Sequence, residues 1–547
     1  MPTALFTNVL YYGDNLEVLR KYIKDESIDL IYLDPPFNSK ADYNVLFKEV
    51  SGEESTAQIQ AFSDFWIWDT EARKAYEYLT IQAPNAVANL TEALFNFLKP
   101  SDILAYLVMM GIRLLELHRV LKPTGSIYLH CDPTASHYLK LLMDAIFSPK
   151  NFKNEITWKR ANAHNDPNKY GNISDVLLFY SKSNKYTWNK QYLSYDEKYL
   201  ESHWKRKDSS GRPYRLMPLD APKHGDGGNL VYNWHGKIPA PTRTWSCIIE
   251  KMKEYEEKGL LEYTSTGTPN LIKYLDEMPG APLQNIWTDI PPVNPMALER
   301  LGYPTQKPIA LLERIIKASS NEGDIILDPF CGCGTAIIAS EKLHRQWIGI
   351  DVTYLAINLI KNRLNDTYPD IKFNIEGEPR DLGAAMELAK DRYQFQWWAL
   401  SLIGARPVGA TATKPSEGRK GADEGIDGWL RFADVSEGHV EKIVVQVKSG
   451  HVSVKDIREL RDVINRQKAA MGVFITLEEP SSEMIKEVKA TDPYKSPIWN
   501  TEYPQIQIMT IDHLLRGEKP NIPPISNMFK EAPKVERKSE KIQKKLG

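Results

Sequence analysis

The stretch Ile325-Ile-Leu-Asp-Pro-Phe-Cys-Gly-Cys-Gly-Thr335 limits the possible folds more than any other part of the chain. A short β-branched run ends in Asp328, and Gly332 and Gly334 follow before a helical pattern begins near Thr335. A strand that turns through glycines into a helix lets backbone approach a nucleotide cofactor closely, because no Cβ stands in the way. The next strand, Gln346-Trp-Ile-Gly-Ile350, ends in Asp351, 19 residues beyond Gly332. A carboxylate at that distance, at the end of the next strand, suits a pair of ribose hydroxyls. A dinucleotide dehydrogenase is disfavoured on two grounds. The loop is Phe-Cys-Gly-Cys-Gly rather than G-x-G-x-x-G, and half of the strand-like segments precede it.

Asp34-Pro-Pro-Phe37, nearly 300 residues earlier, lies at the carboxyl end of the strand-like run Ile28-Asp-Leu-Ile-Tyr-Leu33. Ligands of open α/β sheets bind at such ends. Two prolines fix the backbone there and set the direction of the neighbouring carbonyls. The Asp34 carboxylate and the Pro35 carbonyl can each accept one N–H of an amino group, and Pro36 holds their spacing. Phe37 can stack on a base swung out of a duplex. Transfer to such a nitrogen needs positioning rather than a covalent nucleophile.

The 547 residues exceed one typical core, so two or three domains are expected. A net charge of -2 does not announce a nucleic-acid partner, and local charge must carry that argument. Four cysteines, Cys131, Cys247, Cys331 and Cys333, are too scattered for a disulfide framework or a zinc site, which fits a cytoplasmic location. The longest apolar run, Ile103–Leu117, is interrupted by Arg113 and reads as a core helix, so no membrane partner is expected.

Strand and helix patterns alternate through residues 8–37 and again through 101–181, which predicts a layered α/β sheet. Residues 38–100 read as irregular and aromatic, with Phe62, Phe65, Trp66 and Trp68 close together. His130 and Asp132 fall on the same strand-end rim as Asp34, and His130 reads as structural. Alternation is lost over 185–295. There Lys205, Arg206, Lys207, Arg212, Arg215 and Lys223 outnumber Asp208 and Asp220, with Trp204 and Tyr214 interleaved. An aromatic, basic insertion between catalytic parts suits contact with phosphates and bases.

Taken in order, Gly13-Asp14-Asn15, Asp34-Pro-Pro-Phe37, Ser126-Ile-Tyr-Leu-His-Cys-Asp132, Asn154-Glu-Ile-Thr-Trp-Lys159, Tyr303-Pro-Thr-Gln-Lys-Pro308, Asp328-Pro-Phe-Cys-Gly-Cys-Gly-Thr335 and Gly349-Ile-Asp351 make residues 8–375 resemble the β-class DNA amino-methyltransferases. The similarity is greatest to modification subunits of type III restriction systems and their adenine-specific relatives. It implies a Rossmann-like sheet that uses S-adenosylmethionine (SAM) on double-stranded DNA. It implies Asp328 on the methionine amino group, with Phe330, Gly332 and Gly334 lining the cofactor. Asp351 would take the ribose, Asp14 would lie near the adenine ring, and Thr305 and Lys307 would border the methionine end. The insertion would recognise the target sequence. Aspartate at the head of the catalytic motif favours adenine N6, with cytosine N4 as the runner-up.

The composition changes after residue 376. A helix is expected over roughly 381–403, then a glycine-rich loop, then the strongly β run Lys442-Ile-Val-Val-Gln-Val-Lys448. Alternation puts Gln446 and Lys448 on one face. An acid followed by a strand ending polar-x-Lys suits metal-assisted phosphodiester cleavage. Gly421-Ala-Asp-Glu-Gly-Ile-Asp-Gly428 with Gln446-Val-Lys448 resembles the Mrr-like branch of the PD-(D/E)xK nucleases. That resemblance implies Asp427, Gln446 and Lys448 as active residues, Asp427 and Gln446 as Mg²⁺ ligands, and help from Asp423 or Glu424. Gln396 stands in the preceding helix where a glutamate is expected.

The resulting layout is a methyltransferase domain over 1–375 carrying its 185–295 insertion, a smaller α/β restriction-endonuclease-like domain over 376–517, and a tail over 518–547. The tail is basic towards its end and reads as solvated. Modification and restriction in one polypeptide is the first expectation. The competing one is a methyltransferase whose nuclease fold is inactive and serves DNA binding or dimerisation, and a third is an RNA methyltransferase. No G-x-x-x-x-G-K-[ST] is present, so an ATP-driven translocase is not encoded within these residues. A homodimer and a separate restriction or helicase subunit stand open as partners.

Overall fold

A computed structural model of the chain describes residues 7–36, 67–161, 170–225, 228–294, 299, 301, 306–408, 425–433, 440–497 and 500–523. The chain divides into two compact units, residues 1–189 with 285–547, and Lys190–Gln284.

The larger unit holds a nine-stranded sheet. Its strands in chain order are β1 (Val9–Tyr12), β2 (Ile28–Leu33), β3 (Leu121–Cys131), β4 (Phe152–Lys159), β5 (Ser174–Ser181), β6 (Ile286–Trp287), β7 (Ile325–Asp328), β8 (Gln346–Asp351) and β9 (Asn374–Glu376). Their spatial order is β6-β4-β5-β3-β2-β7-β8-β1-β9. β3, β2, β7, β8, β1 and β9 run parallel, while β5 pairs antiparallel with β3 and β4. Central strands covered on both faces must be apolar throughout. Leu30, Ile31, Leu33, Ile127, Leu129, Leu327 and Ile348 are accordingly buried. β2 and β7 lie side by side although almost 300 residues separate them, which brings the two key sequence stretches together.

Helices that frame this sheet include α1 (Asn15–Tyr22), α2 (Asp102–Val120), α3 (Ile309–Ser319), α4 (Thr335–Lys342) and α5 (Tyr354–Thr367). Two further helices, Thr70–Ile81 and Asn85–Leu98, occupy a stretch expected to be irregular. Ala72, Ala75 and Leu79, then Val87, Thr91 and Leu94, repeat at helical spacing and face the core. The surrounding aromatics obscure that period in the sequence. Of the expected aromatic group, Trp68 packs beside Tyr76 and Phe95, while Phe62, Phe65 and Trp66 lie outside the described residues.

Further along the same unit, the expected helix over roughly 381–403 is two helices, Leu382–Leu388 and α6 (Arg392–Leu402). Asp391 interrupts them because its side chain accepts the N–H groups of Tyr393 and Gln394, which starts a new helix. A five-stranded sheet follows in the order β10 (Arg406–Pro407), β11 (Gly428–Ala433), β12 (Val440–Lys448), β13 (Met471–Thr476), β14 (Ile506–Thr510). β10, β11 and β12 pair antiparallel, and β12, β13 and β14 pair parallel. α7 (Val454–Gln467) packs Ile457, Leu460, Val463 and Ile464 against one face of this sheet. α6 covers the other face with Phe395, Trp398 and Leu400.

The smaller unit lies inside the 185–295 window. Tyr192–Leu193 pairs with Ala281–Pro282 where the segment begins and ends. Within it, strands Leu261–Tyr263, Pro269–Tyr274, Pro213–Pro218 and Arg206–Lys207 form an antiparallel sheet in that order. Its small core gathers Leu219, Trp234, Trp245, Met252 and Leu271.

No described helix is long and apolar enough to cross a membrane.

Candidate active site and a second strand-end site

Five neighbouring parallel strands, β3, β2, β7, β8 and β1, end on one rim of the large sheet. Beyond or at their ends stand Asp132, Asp34, Asp328, Asp351 and Asp14. Register explains the convergence, because Leu33 lies opposite Leu129, Leu327 opposite Ile31, Asp328 opposite Gly349 and Tyr12 opposite Asp351.

Asp34 directly follows β2. Its Oδ2 is ion-paired with Nζ of Lys307, which lies two residues ahead of α3. Its Oδ1 is buried with no hydrogen-bond partner among the described residues. A buried carboxylate oxygen left without a donor is costly, so this atom is primed to accept an N–H from a ligand. The structure seats Lys307, which the resemblance puts at the methionine end of a cofactor, against Asp34. Pro35 and Pro36 are described at the strand end, whereas Phe37 and Thr305 lie outside the described residues.

The glycine loop follows β7. Asp328 is buried, and its Oδ1 accepts the Phe330 N–H at 3.1 Å. Burial holds its carboxyl well above the usual range, and the nearby Asp34 and Asp351 carboxylates push it further in the same direction. Phe330 is half-buried against the core of the sheet. Gly334 adopts φ +74°, and a Cβ there would meet Cγ1 of Ile360 at 2.6 Å, so only glycine lets α4 start here against α5. Gly332 also has positive φ, at 48°. Its N–H donates to Oδ2 of Asp351 at 2.9 Å, while Oδ1 accepts the Thr353 N–H at 3.0 Å and its hydroxyl at 2.8 Å. Asp351 therefore ties the glycine loop to the start of α5. Burial also raises its carboxyl, opposed by these same hydrogen bonds.

Asp14 caps α1 by accepting the Leu16 N–H at 2.8 Å, and Arg113 of α2 donates to its Oδ2 at 2.7 Å. The Arg113 guanidinium is buried and also donates to Oδ1 of Asn15 at 2.6 Å. Asn15 in turn donates to the Pro329 carbonyl at 2.8 Å. A chain from α2 through α1 thus props up the glycine loop. The sequence signal was present, since a lone arginine in an apolar helix needs buried partners.

Three acids, Asp34, Asp328 and Asp351, with Lys307 against the first, make a rim that favours a bound cation. The side-chain-free glycine turn gives such a molecule backbone access. A sulfonium cofactor with an amino group fits both features.

Behind this rim runs a buried polar chain. The Tyr32 hydroxyl and Nδ1 of His130 are 2.9 Å apart, and Nε2 of His130 is 3.1 Å from Oδ2 of Asp175. Asp175 also pairs with Arg160 at 3.0 Å. Burial pushes the Asp175 carboxyl up, but the His130 hydrogen bond and nearby positive charges outweigh it and hold the group below its ordinary value. His130 is wholly buried and structural, as its position suggested. Asp132 accepts the Thr134 and Ala135 N–H groups and serves the following turn.

A second strand-end arrangement lies in the smaller sheet. Asp427 directly precedes β11, and its Oδ2 accepts the Val447 N–H at 2.6 Å. Gln446 is buried, its Oε1 without a hydrogen-bond partner among the described residues, and Lys448 is half-buried with Nζ 3.7 Å from Oδ1 of Asp456. The three expected residues are therefore gathered at adjoining strand positions. As a magnesium site they fit poorly: one carboxylate already engaged by backbone and one amide are few ligands for an ion that demands octahedral oxygen coordination. Among the described residues no cluster of three His, Cys, Asp or Glu side chains could hold a metal. Asp423 and Glu424 lie outside the described residues.

Residues 28–362, more than half of the chain, match the family model described as DNA methylase of the N6/N4 type. The chain belongs to the N6/N4 DNA methylase family. This methylase is similar to the type II methyltransferase M.EcaI of Enterobacter cloacae, 29% identical over 365 residues that cover 66% of this chain and 70% of that protein. It is also similar to the Mod subunit of the type III restriction-modification enzyme StyLTI of Salmonella typhimurium, 27% identical over 361 residues, or 62% of this chain and 50% of that subunit. The solved M1.HpyAVI-SAM complex aligns with 65% of this chain and 99% of its own, at 16% identity and a TM-score of 0.31. Residues 412–516 match a family model described as NACHT-associated inactive Restriction Endonuclease 1.

In the methylase's smaller unit, two of the six expected basic residues are already paired with carboxylates. Arg206 pairs with Glu262, and Arg212 pairs with Asp276 at 2.8 Å and Glu277 at 3.1 Å while lying over the Tyr274 ring. Arg215 donates to the Tyr199 hydroxyl at 2.7 Å and lies over Trp204. Lys205 and Lys207 are exposed. Composition alone could not distinguish Arg206 and Arg212, because their acidic partners lie 56 to 65 residues downstream.

Proposed function

We propose that this methylase transfers the methyl group of SAM to the N6 amino group of an adenine in double-stranded DNA. The observation that carries this reading is Oδ1 of Asp34, a buried acceptor with no partner among the described residues, on the rim beside the Asp328 loop. One N–H of the target amine donates to that oxygen, and the other donates to the Pro35 carbonyl. Both bonds turn the nitrogen lone pair towards the reacting carbon. Lys307 holds Oδ2, so the carboxylate stays in register with the amine. SAM supplies an electrophilic methyl on a sulfonium. Asp328 would hold its amino group, Asp351 its ribose through the loop it organises, and Phe330, Gly332 and Gly334 would border it. Phe37 stacks on the extruded base. Within 185–295, Lys205 and Lys207 meet phosphate, while Arg206, Arg212 and Arg215 do so only by exchanging their carboxylate or aromatic partners.

For the C-terminal region we favour an endonuclease fold that does not cut and that serves DNA binding or dimerisation. The thin ligand set and the matched family description support this. The competing reading is Mg²⁺-dependent cleavage of unmethylated DNA through Asp427, Gln446 and Lys448, and the orphaned Oε1 of Gln446 is the feature that speaks for it.

One experiment tests the main reading. Purified full-length protein is incubated with radiolabelled SAM and either duplex DNA or structured RNA, and the nucleosides are resolved by mass. Label in N6-methyladenine from DNA is the expected result. Label in N4-methylcytosine would move the target base, label in RNA would move the substrate, and no label in either would sink the proposal.

A further inference from the structure

The helix start that holds the carboxylate organising the glycine loop is itself capped by a residue 40 positions further along the chain. Asp351 bonds to Thr353, and the Thr353 side chain caps α5 by accepting the Ala356 N–H at 3.3 Å. The first N–H groups of a helix have no partner inside the helix. That of Tyr354 is satisfied by Oε1 of Gln394, at 2.8 Å. Gln394 is buried on α6, in the segment that packs against the endonuclease-like sheet. Its own backbone is fixed by Asp391, which accepts its N–H.

The Tyr354 side chain strengthens the same link. Its ring is fully buried and stacks on Tyr12, with centroids 3.8 Å apart. Tyr12 lies opposite Asp351 in the sheet and directly precedes Gly13-Asp14. Tyr354 and Leu355 belong to the same apolar cluster as Phe395, Trp398 and Leu400 of α6 and Leu430, Ile443 and Val445 of the smaller sheet.

We propose that Gln394 is a positioning residue for the cofactor site: by capping α5 from the C-terminal region, it holds Thr353 and Asp351, and so the glycine loop, in the arrangement that receives SAM. The endonuclease-like domain then sets cofactor affinity without touching the cofactor. This rests on the SAM-dependent reading given above.

The test is calorimetric titration of SAM into the full-length protein. Gln394→Met keeps the side-chain length and removes the acceptor, and Gln394→Asn withdraws it. Either should weaken Kd by about tenfold, the size expected when a buried N–H loses its acceptor, while methyl transfer at saturating SAM stays within about twofold of wild type. Gln394→Glu keeps an acceptor next to a helix N-terminus and should restore binding. Leu430→Ala loosens the same apolar cluster without touching the Tyr354 N–H. It should lower the melting temperature and leave Kd unchanged. Unaltered Kd in the Met and Asn variants overturns the proposal, and so does equal weakening by Leu430→Ala. Wild-type protein that fails to bind SAM sinks the functional reading itself, and the inference with it. Wild-type binding with an indifferent Gln394 sinks the inference alone.

Discussion

The methylase rim and the endonuclease-like rim are built alike up to the last step. Each puts an aspartate at a strand end and has a buried side-chain oxygen with no hydrogen-bond partner among the described residues, on Asp34 itself in the first and on the neighbouring Gln446 in the second. They differ in what the aspartate already holds. Asp34 is gripped on one oxygen by Lys307 and keeps the other open, with Asp328 and Asp351 close by on neighbouring strands. Asp427 gives its Oδ2 to the Val447 N–H and has Gln446 where a second acid would serve a cation. The contrast teaches that a strand-end acid indicates chemistry only when its lone pairs are free and its neighbours supply the charge a ligand must balance. On the first rim three carboxyl groups accompany one lysine, which suits a cationic cofactor. On the second, one amide and one lysine accompany the acid.

The largest expected effect tests the open oxygen. Asp34→Ala should reduce methyl transfer by about 10²-fold or more, as loss of a positioned group at the reacting centre does, while SAM still binds in a titration. Wild-type rates in that variant would place the catalytic site elsewhere. Next comes the support beneath the loop. Arg113→Met removes the buried cation that joins Asp14 and Asn15. It should cost about 2 kcal/mol of unfolding free energy in denaturant titration, less than for a fully buried pair because Asp14 is partly exposed. An unchanged midpoint would mean that this chain does not brace the loop. On the second rim, Asp427→Ala leaves the Val447 N–H without its acceptor and should cost about 1 kcal/mol. DNA incubated with Mg²⁺ should remain intact with either wild type or variant. Discrete fragments from the wild type, lost in the variant, would make the two rims functionally equivalent and erase the contrast.

The sequence made the first rim readable because its chemistry is local. Asp34-Pro-Pro-Phe37 and the Asp328 loop each follow an apolar strand, and strand order then dictates that the two ends meet. Gly334 was legible for the same reason, since a left-handed turn packed against Ile360 admits no side chain. What escaped were contacts made by residues of unremarkable type from distant segments. Arg113, Tyr32 and Asp175 lie outside the matched motifs, and Asn15, although inside one, gives no sign of its partner; the contacts span 98 residues for Tyr32 with His130 and 314 for Asn15 with Pro329. Gln394 was invisible beside Gln396, because burial and helix phase, not residue identity, decide which glutamine meets Tyr354. The helices over 70–98 were hidden by aromatic composition although their apolar period is regular.

The smallest effect separates the rims by their protons. Asp328 is buried, and its folded pKa lies well above the value of about 3.9 that a free aspartate has in an unfolded chain. Between those two values the folded protein holds a proton that the unfolded chain has lost. Its contribution to stability therefore falls as pH rises from about 4 through the raised pKa, and levels off above it. If the amino group of SAM sits on Asp328, its positive charge favours the ionised carboxylate and lowers that pKa. Binding then expels a proton, and affinity tightens with rising pH until Asp328 is already ionised in the free protein. Calorimetry in two buffers of different ionisation enthalpy reads the proton count directly. Asp328→Asn should abolish the release and flatten the pH dependence while weakening binding. Proton release that persists in the variant would belong to another group, and Asp328 would then lose its assignment to the cofactor's amine.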